Sequence, residues 1–519
     1  MRGKRHSIFL ALVVSIGGFL FGFDASVISG VIGFIVPEFE LNEWEQGFAV
    51  ASLALTATIA MLTAGPLSDK VGRKRVLLFV GLFYAASALL SAIAPSFWFL
   101  VVARMLGGLA VGAALILAPM YIAEIAPAGQ RGKMVSINQL NIVLGFSAAY
   151  FCNYYLLDLS GSEAGWVQNL SIDDETWRWM LGLELVPALL YFILMFLVPE
   201  SPRWLIMKGH KTKAMEVIAR INGVDQANAV MAEIEGHLET ERETATAPIT
   251  ILFSPALRTV LIIGLVVGIL QQITGVNAIY FYATSIFEQS GIGKNAAFAQ
   301  AVWVGIINVI FTLIAMATID KIGRKPLLLI GVAGVAISML LASYGFSQAT
   351  YQLNQEAVNS MAADMEVELL QPLVGQTFDN DVAFKRAIKN ALGAVEAATH
   401  EATLIQAATD MNPTLILVGI LGFVASFAIS LGPVMWVLFS EIFPNHVRGI
   451  AISVVGFVNS VVSYLVQQFF PWELSNLGNA LTFLIYALFA IVGFVLVLRL
   501  LPETKGKSLE ELENVLIKS

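Results

Sequence analysis

The ten residues Asp69-Lys-Val-Gly-Arg-Lys-Arg-Val-Leu-Leu78 occur again as Asp320-Lys-Ile-Gly-Arg-Lys-Pro-Leu-Leu-Leu329, with seven of the ten positions identical. Each copy lies between two long apolar runs. A second pair repeats at a larger spacing, because Glu124-Ile-Ala-Pro127 returns as Glu441-Ile-Phe-Pro444. Segments that recur in the same order indicate that the chain consists of two related halves.

The composition places these halves in a membrane. Of the 519 residues, 57% are hydrophobic and 13% are charged, which leaves too little polar surface to cover a soluble globule. Apolar runs of roughly 18 to 28 residues can each cross a hydrocarbon core about 30 Å thick as a helix. Twelve such runs predict an all-α membrane protein with six transmembrane helices in each half. They cover residues 9–36, 46–68, 76–94, 98–121, 134–157, 178–198, 258–286, 297–318, 325–347, 413–438, 448–471 and 479–501.

The basic residues predict the orientation. They follow the N-terminus, occur in both copies of the ten-residue repeat and are frequent between the halves, so they fall on one side of the predicted bundle. Loops rich in Lys and Arg stay in the cytoplasm. We therefore expect a multi-pass protein of the cell (inner) membrane with both termini in the cytoplasm. The opposite loops are acidic or neutral, and the first of them carries Glu38, Glu40, Glu43 and Glu45.

Two polar segments interrupt the helices and set the expected boundaries. Residues 1–199 form the N-terminal half, 200–250 a cytoplasmic linker of short amphipathic helices, and 251–519 the C-terminal half. The first repeat has an offset of 251 residues and the second 317, so the second half contains an insertion, which we place at 348–412 on the outer side. Its composition favours small helices. These either cap the outer mouth or form a tolerated insertion without function.

Five motifs resemble the sugar porter family of the major facilitator superfamily over residues 10–510. The closest resemblance is to bacterial proton-coupled xylose and hexose porters, whose Ser-Glu-Ile-Phe-Pro-Asn string occurs here at 440–445. The motifs are Gly65-Pro-Leu-Ser-Asp-Lys-Val-Gly-Arg-Lys74, Pro199-Glu-Ser-Pro-Arg203, Gln271-Gln272 with Gly275-Val-Asn277, Gly432-Pro-Val-Met-Trp436 and Pro502-Glu-Thr-Lys-Gly506.

The resemblance implies a secondary active transporter that imports a monosaccharide, a pentose or a hexose such as xylose, glucose or galactose, with a proton by alternating access. A passive sugar uniporter, a sodium-coupled sugar symporter and a transport-dead sugar sensor are the alternatives. No nucleotide-phosphate loop, metal cluster or nucleophile triad stands out, so we expect neither an enzyme nor a cofactor nor a metal. The net charge of −8 does not suggest nucleic acid, and we expect the protein to function as a monomer.

The resemblance also assigns a sugar site. Sugar hydroxyls need neutral hydrogen-bonding side chains, and the C–H faces of a sugar ring need an aromatic surface. Midway along the predicted helices, amides and aromatic rings stand at positions that line the sugar site in the family. For any single amide, a hydrogen bond between helices is the alternative role. The expected sugar-binding residues are Phe21, Gln139, Gln271, Gln272, Asn277, Asn308, Trp436 and Asn459.

Three positions depart from the family pattern. Phe281 stands where many members have tyrosine, Ser460 where many have tryptophan, and Phe146 where xylose porters have glutamine. The small Ser460 predicts a larger site, and the two phenylalanines predict a less polar rim. The identity of the sugar therefore stays open.

An acid in the middle of the first predicted helix is the candidate for ion coupling. Asp24 would be a charge in a low-dielectric core, and its expected partner is Arg104, since an unpaired buried charge costs several kcal/mol. The resemblance implies that Asp24 carries the proton, because the matching acid does so in proton-coupled relatives. A permanent structural ion pair and sodium coupling are the alternatives.

Charged residues repeat at the cytoplasmic helix ends of both halves and can form two ion-pair clusters. The resemblance implies a cytoplasmic gate that closes when the cytoplasmic ends of the halves meet and so favours the outward-facing state. Ordinary anchoring of positive charge in the cytoplasm is the alternative. The gate residues are Asp69, Arg73, Glu124, Arg131, Glu200, Asp320, Arg324, Glu441, Arg448 and Glu503.

Overall fold

The computed structural model of the chain describes residues 2–243, 249–361, 365, 367–444, 447–507 and 511. Within this part, twelve helical segments are long and apolar enough to cross a membrane, which confirms the predicted fold class. We number them span 1 to span 12 in chain order. Their bounds are His6–Glu38, Glu43–Val71, Arg73–Ala92, Phe97–Ile125, Gly132–Ser160, Thr176–Met195, Arg258–Phe281, Lys294–Ile322, Arg324–Ser347, Pro413–Ile442, Arg448–Asn476 and Gly478–Leu500.

Several spans are interrupted where the sequence suggested one continuous helix. Span 7 consists of Arg258–Ile273 and Val276–Phe281, followed by a separate helix over Ala283–Glu288. The cause lies at Gly275, whose φ of 89° is in the left-handed region that other residues rarely adopt. Span 6 divides into Thr176–Gly182 and Leu185–Met195, and span 10 into Pro413–Ile429 and Leu431–Ile442.

Glycines allow spans 1 and 5 to pack backbone against backbone. A Cβ atom added at Gly22 would lie 2.0 Å from the carbonyl oxygen of Ile142, and one added at Gly145 would lie 2.0 Å from that of Phe19. Such close approach is typical of membrane helix pairs with small residues at the interface. The Gly-rich first span is therefore held inside the N-terminal half.

Short helices connect the spans on both sides. In the segment between the halves, Ala214, Ile218 and Ile221 are buried, and the Ser201 hydroxyl caps the first helix by accepting from the Trp204 N–H. The helices of this linker cover Pro202–Met207, Lys211–Asn222 and Val224–Glu243. The other connecting helices cover Ala128–Gln130, Gly165–Asn169 and Ile249–Phe253.

The insertion folds as a small unit with its own apolar core, which includes Tyr351, Phe384 and Leu404. It contains an antiparallel sheet of order β2-β1-β3, which sequence analysis missed because strands of two or three residues are too short to show an alternating pattern. The strands are β1 (Thr350–Gln352), β2 (Thr377–Phe378) and β3 (Thr409–Asp410). The helices cover Gln355–Ser360, Val367–Leu373, Asp381–Leu392, Ala394–Thr399 and Glu401–Ala408.

The bundle has two faces. We call the side with the start of span 1, the end of span 12 and the linker the terminal face, and the side with the insertion the insertion face. Hydrogen bonds between the halves lie at middle depth or toward the insertion face. They join Ser29 to Thr284, Tyr150 to Tyr280, Met61 to Ser460 and Trp44 to Gln468.

Candidate functional site

A cavity of about 260 Å³ lies between the two halves at middle depth. It is smaller than pockets for drug-sized ligands, which are about 300–1,000 Å³, so it suits a small molecule. The three positions that depart from the family pattern, Phe146, Phe281 and Ser460, face it as well. All eight residues of the predicted sugar site line this cavity: Phe21, Gln139, Gln271, Gln272, Asn277, Asn308, Trp436 and Asn459.

Four of these side chains form one amide network between spans 7 and 11. The Gln272 Nε2 group donates to Asn459 Oδ1 at 3.2 Å, and the Asn459 Nδ2 group donates to Gln271 Oε1 at 2.8 Å. Asn277 Nδ2 donates to Gln272 Oε1 at 2.8 Å and also to the Ser463 hydroxyl. The amides therefore join the two helices and also line the cavity. Hydrogen bonding between helices and lining of the cavity are thus compatible roles for the same side chains.

The remaining polar groups of the cavity come from both halves. Gln139 of span 5 and Asn308 of span 8 make no side-chain hydrogen bond to another described residue. Their donors and acceptors are thus available to a molecule in the cavity.

Aromatic rings form the insertion-side wall of the cavity. The Phe146 ring lies 5.1 Å from Tyr280 and 6.2 Å from Phe21, the latter in a T-shaped arrangement. Tyr280 and Tyr282 are buried, whereas Trp436, on the side toward the terminal face, is 44% exposed. The cavity is accordingly sealed toward the insertion face and open toward the terminal face.

The two predicted coupling residues are paired. Arg104 Nη1 lies 3.3 Å from Asp24 Oδ1, and both side chains are almost completely buried. The Arg104 Nε group donates to the carbonyl of Ala49 in span 2. The second carboxylate oxygen of Asp24 has no hydrogen-bond partner among the described residues. The Arg104 guanidinium thus connects spans 1, 2 and 4, while Oδ2 of Asp24 accepts no hydrogen bond from a described residue.

Sequence analysis missed a third ionisable group at this place. Glu184, at the interruption of span 6, is 3% exposed and lies close enough to Asp24 and Arg104 to interact with both electrostatically. Its Oε1 atom has no hydrogen-bond partner among the described residues. An acid within the predicted apolar run 178–198 was the available signal. Its position near the start of that run made it resemble an ordinary interfacial residue.

The repeated charges on the terminal face form one cluster in each half. In the N-terminal half, Arg73 Nη2 lies 2.7 Å from Asp69 and 3.4 Å from Glu124. In the C-terminal half, Arg324 Nη2 lies 3.1 Å from Asp320 and 2.8 Å from Glu441. Because each cluster lies within one half, it forms without a meeting of the halves. The gating role of the two clusters stays a prediction.

Three other gate candidates make contacts with backbone groups in place of the expected ion pairs. Glu200 accepts from the Lys74 N–H at the start of span 3, and Glu503 accepts from the Arg324 and Lys325 N–H groups at the start of span 9. Both carboxylates therefore cap helix N-termini, where negative charge is favoured. The Arg448 Nε group donates to the Phe443 carbonyl. The Arg131 side chain lies outside the described part.

Comparison with known proteins identifies relatives over the whole chain. The model of the family described as "Sugar (and other) transporter" matches residues 10–365 and 391–516, and the gap between the two stretches falls inside the insertion. The arabinose-proton symporter of Bacillus subtilis is 34% identical, and the alignment covers 99% of this chain and 97% of that protein. The D-xylose-proton symporter of Escherichia coli K12 is 32% identical, with 97% and 94% covered.

Solved structures agree with these relatives. The inward open conformation of the xylose transporter XylE from Escherichia coli aligns with a TM-score of 0.73 at 30% identity, covering 98% of this chain and 100% of that chain. Its partially occluded inward open conformation gives a TM-score of 0.70, also at 30% identity, with 97% and 100% covered. By sequence, by fold and by the twelve spans, this multi-pass membrane protein belongs to the sugar porter family of the major facilitator superfamily.

Proposed function

We propose that the protein is a secondary active transporter that imports a monosaccharide together with a proton by alternating access between its two halves. The observation that carries the proposal is the placement of a small amide-lined cavity between the halves, close to the buried cluster of Asp24, Arg104 and Glu184. Relatives named as symporters of protons with arabinose or xylose support the same class of activity.

The cavity suits a neutral polyol. Amides both donate and accept hydrogen bonds, as hydroxyls do, and no acidic or basic side chain lines the cavity among the described residues. Trp436 and Phe21 offer flat apolar faces to the C–H groups of a sugar ring. A monosaccharide entering the site exchanges hydrogen bonds with an amide network that is already assembled, so few side chains need to be ordered on binding.

The buried cluster is built to hold one exchangeable proton. Two carboxyl groups face one guanidinium in an apolar setting, so the cluster is electroneutral when one acid is protonated and carries an uncompensated charge when both are ionised. We assign the coupling proton to Asp24, which contacts Arg104 directly, with Glu184 as the second acid. Protonation of Asp24 weakens its hold on Arg104.

The cluster is also placed to influence the contact between the halves. Arg104 lies close enough to Tyr282, which follows span 7, to interact with it electrostatically. The Tyr282 hydroxyl donates to the Gln467 carbonyl in span 11, and the neighbouring Thr284 contacts Ser29 of span 1. A change in the charge of Asp24 therefore alters the electrostatic environment of the residues that seal the insertion side of the cavity.

The terminal face is cytoplasmic, because it carries the basic loops, and the protein lies in the inner membrane with both termini inside. Transport through a cavity between two related halves needs one chain and no covalent chemistry. We accordingly propose a monomer that is not an enzyme and does not bind nucleic acid.

A screen of labelled pentoses, hexoses and disaccharides in proteoliposomes tests the proposal. With an inwardly directed proton gradient, at least one monosaccharide should accumulate above its external concentration, and a protonophore should abolish the accumulation. Disaccharides should not enter, because the cavity is too small. Equilibration without accumulation would indicate a uniporter, and accumulation driven by a sodium gradient would indicate sodium coupling. Either result would overturn proton symport.

A further inference from the structure

The insertion is attached to the C-terminal half by specific polar contacts. Asp381 is 6% exposed, and its Oδ2 atom accepts from both the backbone N–H of Asn479 at 3.0 Å and the Asn479 Nδ2 group at 2.6 Å, next to the start of span 12. The Gln289 Nε2 group, from the segment after span 7, donates to Glu401 Oε1 at 2.8 Å. These contacts anchor the insertion to the C-terminal half.

The same unit reaches across to the N-terminal half. Its helix Ala394–Thr399 packs against the insertion-side end of span 1. Its helix Asp381–Leu392 forms one wall of a cleft of about 370 Å³, whose other wall is the loop between spans 1 and 2. The insertion therefore bridges the two halves on the face that is closed in this structure.

The two walls of this cleft carry opposite charge. All Lys and Arg residues of the insertion lie on the one helix, as Lys385, Arg386 and Lys389, and all three line the cleft. Glu40 and Glu43 line the opposite wall. Lys385 pairs with Glu401 inside the insertion. Arg386, Lys389, Glu40 and Glu43 make no ion pair within 4 Å to a described residue. Their charges lie on opposite walls of the cleft without a partner of their own.

Below the insertion lies a larger chamber of about 660 Å³, lined by the insertion-side ends of spans 1 and 11, the segment after span 7 and the insertion itself. Tyr282 borders this chamber, while its neighbours Tyr280 and Phe281 border the central cavity. The insertion thus covers the approach to the central cavity from this face.

We propose that the insertion is a lid that moves with the C-terminal half and is drawn onto the N-terminal half by attraction between Arg386 and Lys389 on one side and Glu40 and Glu43 on the other. The lid favours the state that is closed on the insertion face. When the halves part on that face, the anchored contacts at Asp381 travel with the lid and the contacts with the N-terminal half break. The inference rests on the alternating access proposed above.

The test measures a distance and needs neither a sugar nor a proton gradient, so its result is separate from that of the transport assays. In a Cys152→Ser background, spin labels at Asn169→Cys and Asn359→Cys report the separation of the N-terminal half and the lid in lipid nanodiscs. The variant Arg386→Glu/Lys389→Glu places like charges across the cleft. In this variant, the fraction of molecules with the longer distance between the two spin labels should increase about threefold to tenfold, because exposed charge pairs are of modest strength.

Two further variants make the result decisive. Adding Glu40→Arg/Glu43→Arg to the reversed variant restores opposite charges and should return the distance distribution to that of the parent. Glu356→Arg/Glu368→Arg, a double reversal elsewhere on the insertion, should leave the distribution unchanged. The lid is refuted if the reversed variant keeps the parent distribution, or if the charge-restored variant stays as open as the reversed one.

Discussion

At the scale of single residues, the amide side chains of spans 7 and 11 serve both packing and recognition. Gln272 stands at the centre, because it donates to Asn459 and accepts from Asn277. The resemblance to the sugar porter family indicated these residues, and neutral amides suit the hydroxyls of a sugar. Glu184 could not be singled out in the same way, since its closeness to Asp24 arises from the packing of span 6 and not from any spacing in the sequence.

Replacing Gln272 or Asn277 by alanine should weaken sugar binding. Each change leaves sugar hydroxyls or neighbouring amides unpaired, at a cost of about 1–3 kcal/mol, which corresponds to a loss of affinity of roughly fivefold to a hundredfold. Equilibrium binding of the best labelled monosaccharide to purified protein measures the effect. Asn169→Ala removes an amide at the exposed end of the connecting helix Gly165–Asn169, and this control variant should bind normally. Normal affinity in both cavity variants would show that the cavity is not the sugar site.

Ser460→Trp should change size selectivity. The Ser460 hydroxyl lies 3.8 Å from the Met61 sulfur across the cavity, so an indole ring at this position must occupy space between the halves. Pentoses should then be favoured over hexoses relative to the parent. Competition of unlabelled sugars against the best labelled substrate gives the ranking. A ranking identical to that of the parent would mean that residue 460 does not limit the site.

Glu288, which borders the chamber below the insertion, should make stability depend on pH. Burial raises its pKa to about 7, with Lys294 opposing the shift and Glu401, itself paired with Lys385, adding to it. A raised pKa stabilises the folded protein below the ordinary value of 4.5, and this contribution is lost as the pH rises through about 7. Glu288→Gln should therefore flatten the fall in Tm between pH 5 and 8, measured by scanning fluorimetry. Equal slopes in both proteins would contradict the assignment.

At the scale of elements, the repeated motifs position helix ends. Glu200 and Glu503 occupy equivalent places and cap spans 3 and 9 in the same way, which explains why both acids recur with the duplicated segment. The interruption of span 7 at Gly275 brings Asn277 back toward Gln272. The sequence predicted the spans from apolar length alone. It could not predict this interruption, because the break depends on a single φ angle.

Removal of residues 352–408, with a short Gly/Ser turn in their place, should leave the twelve spans inserted and folded. The insertion has its own core, and spans 9 and 10 need only a brief connection. A modest fall in Tm is expected, since Asn479 loses its partner Asp381. Size-exclusion chromatography and thermal unfolding of the purified variant measure both effects. Aggregation of the variant during purification would instead make the insertion part of the membrane fold.

At the scale of the whole molecule, two related halves enclose a cavity that is sealed on one face. The duplicated motifs predicted the halves, and the apolar runs predicted their helices. The state of the cavity could not be predicted in this way, because an alternating carrier uses the same sequence for both of its arrangements. It follows instead from contacts between the halves, such as Ser29 with Thr284 and Tyr150 with Tyr280.

The central claim at this scale is that sugar movement is linked to a proton carried by Asp24. Asp24→Asn keeps the shape of the side chain and removes its charge, so it mimics the protonated state permanently. Sugar should still bind, and exchange of internal for external sugar should persist. Uphill accumulation should disappear, because no group takes up and releases a proton in each cycle. Arg104→Ala should impair both modes, since it leaves two buried acids without their counter-charge.

The most direct measurement is the alkalinisation of a weakly buffered suspension of cells when the transported sugar is added without an energy source. The protein should produce an alkaline shift that a protonophore abolishes, and Asp24→Asn should produce none while still exchanging labelled sugar. The absence of a shift with the unmodified protein, or accumulation of sugar against a gradient by Asp24→Asn, would contradict proton symport through Asp24.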